Sequence, residues 1–442
     1  MPRVAPFRGL GYALDRYGGA EVPDRIRLPG EAPAHPGRIA DLTDLVCPPY
    51  DVISDERRAE LLARDPHNAV RLELNPEPEP HGAAADALAA WVADGTLGRR
   101  DEQSVYYYAH ARPDAPDDLA VQGVVVRVLL EPWGAEVRPH EHTMPGPKAD
   151  RLALLQATRT QLSPILSVYF DHSDRYPQLM ARAWSDEWRA RDDDGLLHQL
   201  AAVEPDQGLI GYLSRHRLYV ADGHHRYETA LAYQATVRSD PRLARAEPGA
   251  LAADWMMMVL VNAEREALEI LATHRLVRDA DPALLRDPGP LFDAAPVAAD
   301  QLTSALESQA DAAPAYGLVL PAGESYLLVG RPELIAERMQ SERTSAAVRG
   351  LDLAVLHAAL LEDRLGIDSA AVAGGDRLIY TRDAADAIAR ATSGQVSAAI
   401  LVRPTRLREL ADVAGAGGMM PQKSTYFYPK LLTGMVFNPL ED

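Results

Sequence analysis

The sequence predicts an α/β protein with mixed (α+β) sheets. Short apolar runs of strand length, such as "SVYYYAH", "VQGVVVRVLL" and "DWMMMVLVN", are rich in Val, Tyr and Met. Amphipathic or Ala-rich stretches of helical length alternate with them, and Pro, Gly and Asp punctuate the joins. At 442 residues the chain is long enough for two or three domains.

The opening 50 residues are rich in Pro and Gly and lead into "LVCPPYDVIS" (Leu45 to Ser54). Consecutive prolines exclude a central strand or a helix interior, so this is a stiff, extended loop. Ser54 and Asp55 suit the start of a helix over "DERRAELLARD". "AVRLELN" alternates as a strand, and "AAADALAAWVADGTL" is a helix ending near Gly95. Two neighbouring strands follow. The segment "RPHEHTMPGPKADRLALLQATRT" passes from polar loop into a helix from about Pro147 to Thr158. A strand covers about Ile165 to Phe170, "RLYVADGHHRYETALAYQATVR" is strand, turn and helix, and "DWMMMVLVN" is another strand.

Beyond about Ala280 the composition shifts to Pro, Asp and Ala. "YGLVLP" and "SYLLVG" read as strands and "LDLAVLHAALLEDRLG" as a helix, followed by "AAILVRP" and "RLRELADVAG". The final "MMPQKSTYFYPKLLTGMVFNPL" is too apolar and aromatic to stay free and is expected to dock. The organisation expected is therefore a catalytic region over 1–280, an α/β region over 281–415 and an ordered tail over 416–442.

The net charge of −19 argues against broad binding to nucleic acid or an anionic membrane, so a phosphate-bearing ligand needs a local basic pocket. The single cysteine, Cys47, excludes an internal disulfide and suits a reducing cytoplasm. No run resembles a signal peptide or a membrane span. A cytoplasmic protein acting on small molecules is the expectation; oligomeric state is not legible.

Four constellations carry candidate chemistry. In "ADGHHRYETA" a strand becomes a helix at Gly223, which lets an anion approach unpaired backbone N–H groups. Arg226 offers a forked cation for phosphate, and His224 and His225 can donate hydrogen bonds or move a proton. Asp222 is a helix cap or a ligand for a divalent cation. In "HEHTMPGPKADR", Lys148 and Arg151 share one helix face and could grip a phosphate from a second side. His140 and His142 lie i, i+2, so a zinc site completed by His224 or Asp222 is an alternative. In "CPPYDVIS", Asp51 is a base, a metal ligand or a turn cap, and Cys47 reads as a packed thiol. In "PQKSTYFYPK", Lys423 is expected to add positive charge around the bound phosphate.

Together with "PFRGL", these motifs resemble the bacterial and archaeal family called domain of unknown function 1015, and they occur in order over nearly the full chain. The "DGHHR" segment is similar to the phosphate-binding turn of the ParB and sulfiredoxin superfamily, which includes free-serine kinases. The resemblance implies a ParB/sulfiredoxin-like N-terminal region, with Gly223, His224, His225 and Arg226 as its turn and Asp222 beside a metal or reacting hydroxyl. It also implies Mg²⁺-dependent phosphoryl transfer from a nucleotide or polyphosphate to a small hydroxyl metabolite, free serine first. A metal-dependent hydrolase using the histidines and a nucleotide sensor without turnover are the alternatives.

Overall fold

The computed structural model describes residues 1–18, 26, 39–112, 115–141, 143, 145–173, 175, 186–266, 268–309 and 313–441. The chain is a mixed α/β protein that divides into two compact units. One comprises 1–138, 143–268 and 429–442; the other comprises 139–142 and 269–428.

Among the described residues, the first unit is built on a ten-stranded mixed sheet. From edge to edge its strands are Ile39–Asp41, Glu187–Arg191, Leu197–Val203, Val105–Arg112, Ala115–Leu129, Trp255–Asn262, Ile165–Tyr169, Leu218–Asp222 and Val137–Arg138, with Val4–Ala5 paired to Ala115–Leu129. Trp255–Asn262 runs parallel to Ile165–Tyr169, which in turn runs antiparallel to Leu218–Asp222. This central position explains why Trp255–Val261 is a continuous apolar run: every residue of Trp255–Asn262 is buried, as expected of a strand covered on both faces. Helices Pro145–Thr158 and His224–Arg238 pack against each other beside this region.

The C-terminal residues belong to this same unit. Cys47 and Thr433 exchange backbone hydrogen bonds of 3.1 and 2.9 Å, and Leu10 does the same with Phe437 at 3.0 and 2.8 Å. Asn438–Pro439 pairs with Thr160–Gln161, and Phe437 is fully buried. The segment is thus woven into three separate parts of the unit.

In the second unit six strands form an antiparallel sheet in the order Phe292–Pro296, Ser325–Gly330, Ala315–Val319, Ala398–Val402, His274–Val277 and Leu378–Thr381. Its small second sheet pairs Glu269–Ile270 with Phe427–Tyr428. Because His274–Val277 belongs to this sheet, the second unit begins before the expected boundary at 280. The expected tail over 416–442 is likewise divided, at Pro429.

One element differs outright from the sequence expectation. "AVRLELN" is a short helix, Val70–Glu73, although Val70 and Leu72 are both fully buried as an alternating strand would require. Asn68 is the cause. Its Oδ1 accepts the Val70 N–H at 2.9 Å while its amide donates to the carbonyls of Asp44 and Val46. Such a turn bends the backbone at the point where a strand would continue. Across the described residues no helix is long and apolar enough to cross a membrane.

Phe437→Ala should remove about 3–5 kcal/mol of stability, the usual cost of emptying a buried aromatic site. Chemical denaturation followed by the unit's tryptophans reads the loss, and a change below about 1 kcal/mol would show that the C-terminal segment contributes little.

Candidate functional site

The strand Leu218–Asp222 lies between Ile165–Tyr169 and the edge strand Val137–Arg138, and at its end the chain turns at once into helix His224–Arg238. Gly223 makes the turn with φ of +102°, a conformation that side-chain-bearing residues adopt only with strain. A Cβ here would also lie 3.1 Å from Arg226 Nε and Nη2, so the glycine allows the Arg226 side chain to fold back over the turn. The first i to i−4 bond of the helix is Tyr227 N–H to the Gly223 carbonyl at 3.0 Å. The backbone N–H groups before it lie outside the helical ladder, at the positive end of the helix.

Asp222 sits at the centre of this corner. Its Oδ1 accepts from Lys430 Nζ at 2.7 Å and its Oδ2 from Arg226 Nη2 at 2.8 Å. All three side chains are largely buried, with 22% exposure for Asp222 and 12% for each cation. Burial pushes the Asp222 carboxyl up, but the charges of Lys430 and Arg226 outweigh it and hold it far below the ordinary carboxylate range. Arg226 Nη1 also donates to the Pro164 carbonyl. Two cations thus converge on one carboxylate. His224 follows, buried, with its ring 6.2 Å from that of Trp133, and His225 is half-buried.

The second pair of expected phosphate ligands is arranged differently. Lys148 Nζ donates to Glu228 Oε2 at 2.8 Å, and Glu228 also accepts from Thr143 and Trp133. Arg151 is nearly buried. It donates to Glu73 at 2.9 Å and to Asp150 at 2.8 and 2.6 Å, and it stacks on the Tyr50 ring at 4.3 Å. Both cations are therefore neutralised by carboxylates, and Arg151 joins two elements instead of presenting an open fork. Glu73 in turn accepts from Ser163 and, at 3.4 Å, from Thr433.

Between these groups lies a cavity of about 50 Å³ lined by Tyr50, Arg151, Ser163, Arg226, Thr229 and Met256 among others. That volume accommodates a few water-sized groups, at roughly 10–15 Å³ each. Thr229 is 4% exposed and its Oγ1 has no hydrogen-bond partner among the described residues. Asp51 is exposed on the 3₁₀ turn Tyr50–Val52, with no hydrogen-bond or ion-pair partner among the described residues. Burial, then the Asp51 charge, pushes the Tyr50 hydroxyl up to about 12, so it remains a neutral donor.

Other expected residues fall elsewhere. Lys423 belongs to the second unit, where its backbone N–H donates to Glu141 at 2.8 Å; the tail residue that reaches Asp222 is Lys430. His140 is buried in the second unit, its Nε2 at 2.8 Å from Thr425 Oγ1. His142 lies outside the described residues. Among the described residues no group of three or more His, Cys, Asp or Glu side chains is placed to hold a metal ion. At Asp222 a divalent cation would have to displace Lys430 or Arg226, so this donor set does not fit a resident Mg²⁺ or Zn²⁺. Cys47 is buried, which pushes its thiol up and away from nucleophilic use. Lys430, Thr229 and Glu73 are the residues that sequence reasoning missed. Only Lys430 left a signal, as a cation in an apolar terminus.

A carboxyl held below its unfolded value stabilises the fold above about pH 4, and that contribution is lost as pH falls toward the folded value. Asp222→Asn should therefore cost about 2–3 kcal/mol at neutral pH, where it leaves Arg226 and Lys430 facing each other uncompensated. The gap between wild type and variant should narrow steadily below about pH 4. Thermal unfolding from pH 7 to pH 2.5 tests this; a gap independent of pH would show that the Asp222 charge is not what holds the corner.

Comparison with curated proteins gave no match. Among solved structures, a conserved hypothetical protein from Pyrococcus furiosus is 12% identical with a TM-score of 0.34, over 67% of this chain and 89% of its own. A free serine kinase in complex with AMP is 11% identical with a TM-score of 0.35, over 66% of this chain and 83% of its own. SbnI with a C-terminal truncation, from Staphylococcus aureus, is 12% identical with a TM-score of 0.34, over 69% and 84% respectively. Likenesses of this size decide nothing about the site. The family described as "Protein of unknown function (DUF1015)" matches residues 29–354. That match spans most of the sequence, and by it the chain belongs to the DUF1015 family.

Proposed function

We propose that the corner at Asp222–Arg226 binds the phosphate groups of a nucleotide or polyphosphate, and that the protein transfers a phosphoryl group to a small hydroxyl metabolite. The observation that carries this reading is the pair of cations, Arg226 and Lys430, converging on one carboxylate at the start of a 15-residue helix. In a chain of net charge −19 such a convergence of cations at a helix start suits an anion.

Phosphoryl transfer needs mainly positioning and stabilisation of charge on the transferring oxygens. Arg226, Lys430 and the N–H groups around His224 supply the positive field, while Gly223 permits close approach. Asp222, strongly ionised, is a poor base and serves to orient the two cations. Asp51 is the carboxylate suited to accept the proton of the acceptor hydroxyl. The acceptor oxygen forms its bond to phosphorus as the bond to the donor's bridging oxygen breaks, and His224 or His225 supports proton movement at the leaving side. Mg²⁺ commonly travels with polyphosphate rather than in a protein cage. Free serine is the acceptor that the family resemblance suggests first. The hydrolase alternative draws no support from the described histidines, and a nucleotide sensor would share the site without turnover.

Isothermal titration with pyrophosphate, ADP and ATP, with and without Mg²⁺, tests the binding claim, and product counted per enzyme molecule separates transfer from sensing. Arg226→Lys keeps the charge but loses the fork, and Lys430→Met removes the tail's cation. Each should weaken binding at least tenfold, about 1.4 kcal/mol. Wild-type affinity in both variants would remove the corner from the phosphate site.

A further inference from the structure

The two cations at the helix start are already engaged. Each oxygen of the Asp222 carboxylate takes one of them: Oδ1 accepts from Lys430 Nζ at 2.7 Å and Oδ2 from Arg226 Nη2 at 2.8 Å. A phosphate group set between a guanidinium and an ammonium would use two of its oxygens in the same way. Asp222 therefore stands where a ligand's oxygens would stand. The clasp is also closed, since each cation is only 12% exposed and has little surface to offer a second anion while Asp222 holds it. The two cations keep the carboxyl far below the ordinary carboxylate range, so this internal anion is present at every neutral pH.

Each cation has an anchor besides Asp222. Arg226 lies in the first turn of helix His224–Arg238, and its Nη1 donates to the Pro164 carbonyl. The segment carrying Lys430 is fixed just beyond it: the Leu432 N–H donates to the Tyr108 hydroxyl at 3.4 Å, and Thr433 exchanges backbone hydrogen bonds with Cys47. Opening the clasp leaves both cationic heads near the corner but strips the carboxylate of two charge-assisted hydrogen bonds. Every incoming anion meets that same cost. A free carboxylate replaces like with like, against a competitor that is tethered in place. A polyphosphate brings several charges and more acceptor oxygens, and the N–H groups at the helix start add to what it gains.

We infer that Asp222 is an internal competitor, which keeps the corner closed to carboxylates and single phosphate ions and yields its cations to polyphosphates. The inference rests on the phosphate reading of the corner and adds the class of anion admitted, pyrophosphate and nucleoside di- or triphosphates. It also fixes a sign. Removing the charge of a residue that only positioned the two cations would weaken anion binding, whereas removing the charge of a competitor strengthens it.

Calorimetric titration of the full chain with pyrophosphate, orthophosphate and acetate tests this, at a temperature well below the melting point of the least stable variant. Wild type should bind pyrophosphate, with orthophosphate and acetate weaker by about a hundredfold or more. Asp222→Asn removes the competing charge and should tighten binding of all three by about tenfold, even though it lowers the melting temperature. Asp222→Ser, smaller and also neutral, should do the same. If neither variant folds, the wild type decides: a gap of about a hundredfold supports the inference, and orthophosphate or acetate within about tenfold of pyrophosphate overturns it. Pyrophosphate binding that is unchanged or weaker in the folded variants overturns the inference and leaves the phosphate reading standing, with Asp222 as a positioning residue. Absence of phosphate binding in wild type and variants alike overturns that reading and the inference with it.

Discussion

The Asp222 carboxylate, shared between Arg226 and Lys430, is the interaction on which the rest of the candidate site depends. Asp222 and Arg226 are four residues apart, across a glycine turn, whereas Lys430 comes from 208 positions downstream. One carboxylate thus fixes the end of a strand, the start of a helix and the C-terminal segment in a single arrangement. It is also shared, since the one carboxylate accepts from two cations. A partly buried arrangement of this kind is costly to desolvate and weak as a source of net stability, so its presence fits a site kept for use.

A second network supports the first from below. Glu73, turned inward by the helix Val70–Glu73, collects Arg151, Ser163 and Thr433. Thr433 is three residues from Lys430, and its backbone is paired to Cys47. The rigid "CPPYDVI" segment, the Glu73 network and the tail cation are therefore one mechanical unit. Tyr50 lies against Arg151 in that unit and so is held at the cavity wall.

The legible part of this architecture was local. Buried strands such as Trp255–Asn262 announce themselves by continuous apolar composition, and the capping Ser54, whose Oγ accepts the Arg57 N–H at 3.2 Å, announces helix Asp55–Arg64. The Gly223 turn was legible because the glycine stands where an apolar strand pattern gives way to a helical one. What the sequence concealed is pairing across distance. Lys148 and Arg151 read as open cations, yet Glu228 and Glu73 reach them from residues 80 and 78 positions away. Lys423 and Lys430 are equivalent in a linear reading. The apparent strand at Val70–Leu74 failed for the same reason, because the Asn68 side chain bonds to carbonyls 24 and 22 residues upstream.

The central claim is that an anion is held at the start of helix His224–Arg238 by Arg226 and Lys430. A crystal structure of the full chain grown with pyrophosphate tests it most directly. The account predicts phosphate density within hydrogen-bond reach of the Arg226 guanidinium, the Lys430 ammonium and the backbone N–H groups following Gly223. Pyrophosphate bound elsewhere, with Asp222 still clasping both cations and no density at the helix start, would contradict it.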